Sequence, residues 1–130
     1  MPRSGLFTLI FSAFLLLSAP YVYAETGLSG KKLEEEFVYR TTFGRADDIV
    51  LLLKSGANPN TRNPDGWSVL SIAADRTDEE AVKIVTALLE GGANPNTYDS
   101  VTKTYPIMNA VKNGSAEMVR LLLEKGADYK

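Results

Sequence analysis

A repeated motif is the feature of this sequence that most limits its possible folds. GANPN occurs at residues 56–60 and again at residues 92–96, and a shorter third copy, GAD, occupies residues 126–128. The copies begin 36 and then 34 residues apart, and each follows an apolar segment, LLLKS, ALLEG or LLLEK. Such a period is typical of a solenoid, in which a single unit cannot bury its own apolar face and neighbours must stack. The motif therefore predicts three stacked units.

Each unit shows the pattern of two helices followed by a loop. The longer helices, rich in Leu, Val and Ile, are predicted at residues 48–54, 81–90 and 116–124. Each of them stops at a glycine, a residue that readily takes the left-handed conformation that ends a helix. The shorter helices are predicted at residues 68–75 and 105–113, and turn-rich hairpin loops at residues 60–66 and 96–103. The unit is therefore helix, turn, helix, hairpin.

These units resemble ankyrin repeats. The second reads NPDGWSVLSIAA at residues 63–74, and the third reads YPIMNAVKNGSAEMV at residues 105–119. The match covers about residues 33–130, with repeats at about 33–62, 63–98 and 99–130. The resemblance implies an all-α ankyrin-repeat solenoid of about three repeats, and a protein that binds other proteins.

Three departures from the family pattern affect the expected structure. The second unit carries extra residues within 75–80, where Thr77 and Glu80 have the spacing of a capping box and predict the start of the next helix. We number each hairpin by its unit, so that residues 60–66 form the second hairpin and residues 96–103 the third. The third hairpin lacks the family glycine and has Thr102 or Lys103 in its place. No polar repeat follows the last helix, so side chains such as Val119 and Leu122 either tolerate exposure, meet a partner, or belong to a fragment of a longer chain.

The first 24 residues resemble a secretory signal. Arg3 precedes an apolar run at residues 6–19, and Pro20 ends that run. Ala24 then supplies the small residue of a signal-peptidase site, which predicts cleavage between Ala24 and Glu25. The alternative is an uncleaved anchor, but a spanning helix needs about 20 apolar residues and this run is shorter. We therefore expect a signal peptide at residues 1–24 and a repeat domain at 25–130 that is periplasmic or secreted, from a bacterium, and free of the membrane after cleavage.

Composition excludes several classes of function. The chain has no cysteine and no histidine, which excludes disulfides, ordinary zinc sites and the usual nucleophile–base pairs. A formal charge of −2 offers no basic face for nucleic acid. The acidic run at residues 78–80, with Asp75, lacks the glycine turn of a calcium loop and is better explained by a helix start. We therefore expect no catalytic residue, no cofactor and no metal.

The resemblance also implies where a partner binds. In this family, hairpin tips and the ends of the inner helices usually meet it. The corresponding positions of this sequence are Phe43, Pro64, Asp65, Trp67, Asp75, Arg76, Thr102, Thr104, Lys112 and Asn113. In the first unit, Thr42 matches the pattern as well as Phe43. Trp67 is the leading candidate because a tryptophan at a loop tip supplies a large, rigid contact area. The alternative is that its ring only folds back over the neighbouring hairpin.

Three functions remain open. The first is an interaction module that binds and modulates a single protein partner, including an immunity-type inhibitor of a toxin or enzyme. The second is an enzyme that uses carboxylates, which the missing histidine and cysteine argue against. The third is a structural protein that self-associates end to end through the C-terminal repeat.

Overall fold

The structure, a computed structural model, describes residues 28–128. Within this part, helices follow one another in the order α1 (Gly30–Phe43), α2 (Ala46–Lys54), α3 (Val69–Asp75), α4 (Ala81–Glu90), α5 (Pro106–Lys112) and α6 (Ala116–Glu124). The predicted signal segment, with its cleavage point between Ala24 and Glu25, lies outside the described residues. Between residues 28 and 128, strand pairing is limited to isolated bridges in the two hairpins. The predicted all-α repeat architecture is confirmed.

The helix bounds follow the predictions closely. Helices α4 and α6 begin and end where the apolar pattern placed them, and α2 begins two residues earlier, at Ala46. Helices α3 and α5 each begin one residue later than predicted, because Ser68 and Tyr105 are extended N-cap residues. The Ser68 hydroxyl accepts a hydrogen bond of 3.1 Å from the Ser71 N–H, which satisfies a donor that the first turn leaves free.

The predicted glycine helix ends are confirmed. Gly56, Gly92 and Gly126 have φ angles of 99°, 98° and 98°. The residue after each glycine donates its N–H back to the helix; for example, Ala93 bonds the Leu88 carbonyl at 2.9 Å. This is the Schellman arrangement, which turns the chain sharply out of the helix.

The helices form two layers around one core. Helices α1, α3 and α5 pack side by side as the inner layer, and α2, α4 and α6 form the outer layer. The side chains that fill the core have at most 1% of their surface exposed: Phe37, Ile49, Leu52, Leu70, Ile84, Leu88, Met118 and Leu122. Leu122 is thus buried, and the expectation that it faces the open end of the stack is wrong; Leu123 is 40% exposed there instead.

Asparagines of the GANPN motif link successive units. The Asn60 Oδ1 accepts a 2.7 Å hydrogen bond from the Asn94 N–H in the next unit. Asn96 repeats this one unit later, where its Oδ1 accepts from the Asp128 N–H at 2.8 Å and its Nδ2 donates to the Gly126 carbonyl at 3.0 Å. The two ends of the motif therefore have separate roles: its glycine ends the helix, and its last asparagine links one turn to the next.

The capping box predicted for Thr77 and Glu80 is wrong. Glu80 is itself the N-cap of α4, and its side chain makes no capping bond there. Its Oε2 instead accepts a 2.8 Å hydrogen bond from the Ala46 N–H at the start of α2. A carboxylate is favourable at a helix N-terminus, so the extra residues of the second unit stabilise a helix of the first.

None of the helices between residues 28 and 128 is long and apolar enough to cross a bilayer.

Candidate functional site

The second hairpin holds Trp67 in a defined position. The Asn63 N–H donates to the Trp67 carbonyl at 2.8 Å, and the Asn63 Oδ1 accepts from the N–H groups of Asp65 at 3.0 Å and Trp67 at 2.9 Å. Gly66 completes the turn with a φ of 94°. This side-chain turn places Pro64 and Asp65 at the exposed tip and orients the half-buried Trp67 along the inner layer.

A groove of about 410 Å³ lies beside Trp67. Its walls come from the α1–α2 junction, the second hairpin and the end of α3. They are lined by Thr42, Asn63, Asp65, Trp67, Ile72, Asp75 and Arg76. The structure thus brings together five of the residues carried over from the family pattern: Thr42, Asp65, Trp67, Asp75 and Arg76. We call this set of residues the Trp67 groove.

Ile72 and Asn63 belong to the Trp67 groove, although the sequence did not single them out. Ile72 lies within α3, one turn before Asp75, so the helical repeat alone would have placed it near the groove. Asn63 precedes the tip and acts through its side-chain turn. Pro64 does not line the groove, because it borders a separate hollow of about 250 Å³ between the hairpin and α1.

Arg76 ties the first unit to the second. Its Nη1 donates to the carbonyls of Thr41 and Gly44, both at 2.9 Å, and its Nε donates to Asp78 Oδ1 at 3.0 Å. Its side chain is only 13% exposed. The hydrogen bond from Arg76 holds the pKa of the Asp78 carboxyl below its ordinary value. The guanidinium is therefore engaged within the molecule, which gives Arg76 a structural role at the wall of the groove.

Asn113 and Lys112 connect the third unit to the second. The Asn113 Nδ2 donates to the carbonyls of Ala74 at 3.2 Å and Asp75 at 3.0 Å, which joins the ends of α3 and α5. The Lys112 Nζ lies 3.9 Å from Asp75 Oδ1, and its side chain is 75% exposed. An exposed pair at this distance contributes little to stability, so both charges stay accessible to a partner.

The other predicted residues lie outside the Trp67 groove. The hydroxyls of Thr102 and Thr104 lie 2.6 Å apart in the third hairpin. Phe43 is 73% exposed at the end of α1, and its ring centroid is 5.3 Å from that of Tyr39. Whether these residues contact a partner stays a prediction.

Asp99 is a buried residue that the sequence reasoning missed. It is fully buried in the third hairpin, where its Oδ1 accepts from the Ser68 N–H at 3.0 Å and from Arg62 Nη1 at 3.3 Å. Its Oδ2 has no hydrogen-bond partner among the described residues. Asp99 thereby holds the second hairpin against the third. No local signal distinguishes it, since aspartate is an ordinary turn residue.

The Trp67 groove combines apolar and charged side chains. Trp67 and Ile72 supply apolar surface, and Asp65 and Asp75 supply carboxylates. Among residues 28–128, His, Cys, Asp and Glu do not gather in any group of three that would hold a metal ion. Apolar residues bordered by polar ones are also the usual composition of a protein–protein interface.

Comparison with known proteins agrees with this architecture. A family model described as ankyrin repeats in three copies matches residues 39–130. A 50-residue segment is 40% identical to the E3 ubiquitin-protein ligase hecd-1 of Caenorhabditis elegans. That similarity covers 38% of this chain and 2% of the ligase, so the chain corresponds to a small part of that protein.

Proposed function

This chain belongs to the ankyrin-repeat family, whose repeats generally mediate protein–protein interaction, and from this premise we propose that it is an exported, non-catalytic module that binds and modulates a single protein partner. Inhibition of a toxin or enzyme is one form that such modulation takes.

The Trp67 groove is the observation that carries this proposal. A tryptophan held by a hairpin turn loses little further conformational freedom on binding, and residues of this kind dominate binding energy in many interfaces. Trp67 is half-buried, and together with Ile72 it lines a groove of about 410 Å³. We therefore place the centre of the partner contact at Trp67, with Asp65 and Asp75 at its rim.

Affinity capture followed by mass spectrometry identifies the partner, and a single variant then tests the groove. Trp67→Ala should weaken binding by about 30-fold, the effect of losing a dominant contact residue. Tyr98→Ala is the matched control, because Tyr98 is an aromatic residue of the third hairpin, 43% exposed and outside the groove. Arg76→Ala is unsuitable here, since Arg76 bonds the α1–α2 junction.

The two variants separate the outcomes. If both keep the helical circular dichroism of the wild type and only Trp67→Ala loses the partner, the groove is the binding site. If Trp67→Ala and Tyr98→Ala bind equally well, the proposed site is wrong. Once a partner is known, its activity with and without the repeat protein tests modulation, and unchanged activity would contradict inhibition.

Export is supported by the pattern of residues 1–24: one basic residue, an apolar run, a proline and a small residue at the cleavage site. The intact mass of the protein recovered from the periplasm or medium tests it. We expect a chain that begins at Glu25. A full-length chain retained in the membrane fraction would contradict cleavage.

A further inference from the structure

The Trp67 groove carries an uneven set of charges. Its lining includes two carboxylates, those of Asp65 and Asp75, and one guanidinium, that of Arg76. Asp65 is exposed and forms no ion pair within the part of the chain that the structure describes. The Asp75 carboxylate lies 3.9 Å from the Lys112 ammonium, where the two side chains are 40% and 75% exposed. Both carboxylates therefore remain able to accept hydrogen bonds from a bound group.

The guanidinium of the groove is not available to an acidic group. Each nitrogen of the Arg76 guanidinium donates within the molecule: Nε and Nη2 to Asp78, and Nη1 to the carbonyls of Thr41 and Gly44. Asp78 also balances its positive charge. An acidic occupant would therefore meet two carboxylates without an unpaired cation in the lining, whereas a basic occupant would gain from both. The groove favours a positively charged group.

The apolar part of the lining narrows the choice of cation. Trp67 and Ile72 line the same groove as the two carboxylates. An arginine side chain has an apolar stem that packs on such surface, and its planar guanidinium both stacks on aromatic rings and donates to carboxylates. A lysine ammonium is a compact, strongly hydrated charge, and it gives up more hydration on entering a site beside a tryptophan. The composition of the groove thus suits arginine along the whole length of its side chain.

We propose that the Trp67 groove binds an arginine side chain of the partner protein. The stem of the arginine packs on Trp67 and Ile72. Its guanidinium pairs with the carboxylates of Asp65 and Asp75. This inference rests on the proposed function and specifies the chemistry of the partner segment. Lys112 competes with the arginine, because it is the cation already beside Asp75.

The groove contains its own reporter, because Trp67 is the single tryptophan of the chain. Its indole N–H signal is followed by nuclear magnetic resonance while N-acetyl-arginine amide is added to the purified protein at constant ionic strength. The signal should move in a saturable way, with a dissociation constant in the millimolar range expected of one side chain. N-acetyl-citrulline amide is the matched control, because it keeps the shape of arginine without the charge. It should bind about fivefold more weakly, since it cannot pair with the carboxylates.

Variants that each remove one charge test the assigned carboxylates. Asp65→Asn should weaken binding of the arginine probe about fivefold. Glu90→Gln is the control: it removes the same charge from an exposed residue at the end of α4, outside the groove, and should change the affinity by less than about twofold. Lys112→Gln should tighten binding about twofold, because it removes the competitor for Asp75. Damage to the fold would not raise the affinity.

The proposal is overturned if the arginine probe leaves the indole signal unmoved, or if the citrulline probe, N-acetyl-lysine amide or N-acetyl-glutamate amide binds as tightly as the arginine probe. Equal effects of Asp65→Asn and Glu90→Gln also overturn it. A captured partner that depends on Trp67 would then leave the proposed function standing.

The captured partner supplies the converse test. Among its single arginine-to-glutamine variants, one should lose binding to the wild-type repeat protein as fully as the unchanged partner loses binding to Trp67→Ala. If none does, the groove does not receive an arginine of that partner and the inference fails. A partner that binds Trp67→Ala as well as the wild type contradicts the proposed function itself, even where the arginine probe binds as expected, so the two failures are distinguishable.

Discussion

At the scale of the residue, the third hairpin shows how a missing glycine is accommodated. Lys103 has a φ of 57°, and it is the non-glycine residue with positive φ among residues 28–128. The corresponding residue of the second hairpin is Gly66, with a φ of 94°. Of the two residues proposed from sequence for the glycine position, Lys103 takes the left-handed conformation. A side chain costs about 1–2 kcal/mol in that conformation.

Lys103→Gly is therefore expected to stabilise the fold. The relief of backbone strain is partly offset by the greater freedom of glycine in the unfolded chain, so the net gain should be about 0.5–1 kcal/mol. Denaturant unfolding measures it. Thr102→Gly is the control, since Thr102 has no positive φ to relieve. If Lys103→Gly is no more stable than Thr102→Gly, the assigned turn is wrong.

At the scale of the element, junctions between units depend on single polar side chains. Arg76 follows α3 and bonds two carbonyls at the end of α1, and Glu80 precedes α4 and bonds the first N–H of α2. Asn113 follows α5 and bonds two carbonyls at the end of α3. Helix ends leave such groups without partners, so each unit completes the helix ends of the unit before it.

Arg76→Ala tests this role. It removes two hydrogen bonds from a charged donor to backbone carbonyls, and we expect a loss of about 1–3 kcal/mol in the free energy of unfolding. Arg45→Ala is the control: its side chain is 74% exposed and lies 4.0 Å from Glu80, so its loss should cost less than about 0.5 kcal/mol. If the two variants are equally stable, Arg76 does not join the units, and its place in the Trp67 groove gains importance.

At the scale of the whole molecule, the units share one core and should fold together. Phe37 of α1 is fully buried in the same cluster as Leu88 and Leu122 of the later units. A stack of three repeats is near the minimum for stability, so a defect in the first unit removes the support of the others.

Phe37→Ala should lower the free energy of unfolding by about 3–5 kcal/mol, as truncation of a buried aromatic does. Amide hydrogen exchange should accelerate in α6 as well as in α1. Tyr39→Ala, on the same helix but 54% exposed, should leave the exchange of α6 unchanged. An α6 that stays protected while α1 exchanges freely would show that the units unfold independently.

Much of this architecture is local and could be predicted from the sequence. A glycine ends its helix whatever lies beyond, and an apolar stripe defines a helix from its own spacing, so the GANPN copies determined the number and order of the outer helices. The turn residues around Trp67 likewise placed it in a hairpin, although Pro64 and Asp65, and not Trp67, form the exposed tip. The partner-binding role of that tip came only with the family resemblance and stays a prediction.

What only the tertiary structure decided involves partners from other units. The side chain of Glu80 bonds α2 and not its own helix, Asp99 is buried under the second hairpin, and Leu122 rather than Leu123 faces the core. Each outcome depends on how one unit is rotated and spaced against the next, which the packing of the shared core sets. A sequence pattern describes one helix at a time, whereas these contacts join atoms about one repeat apart in the chain.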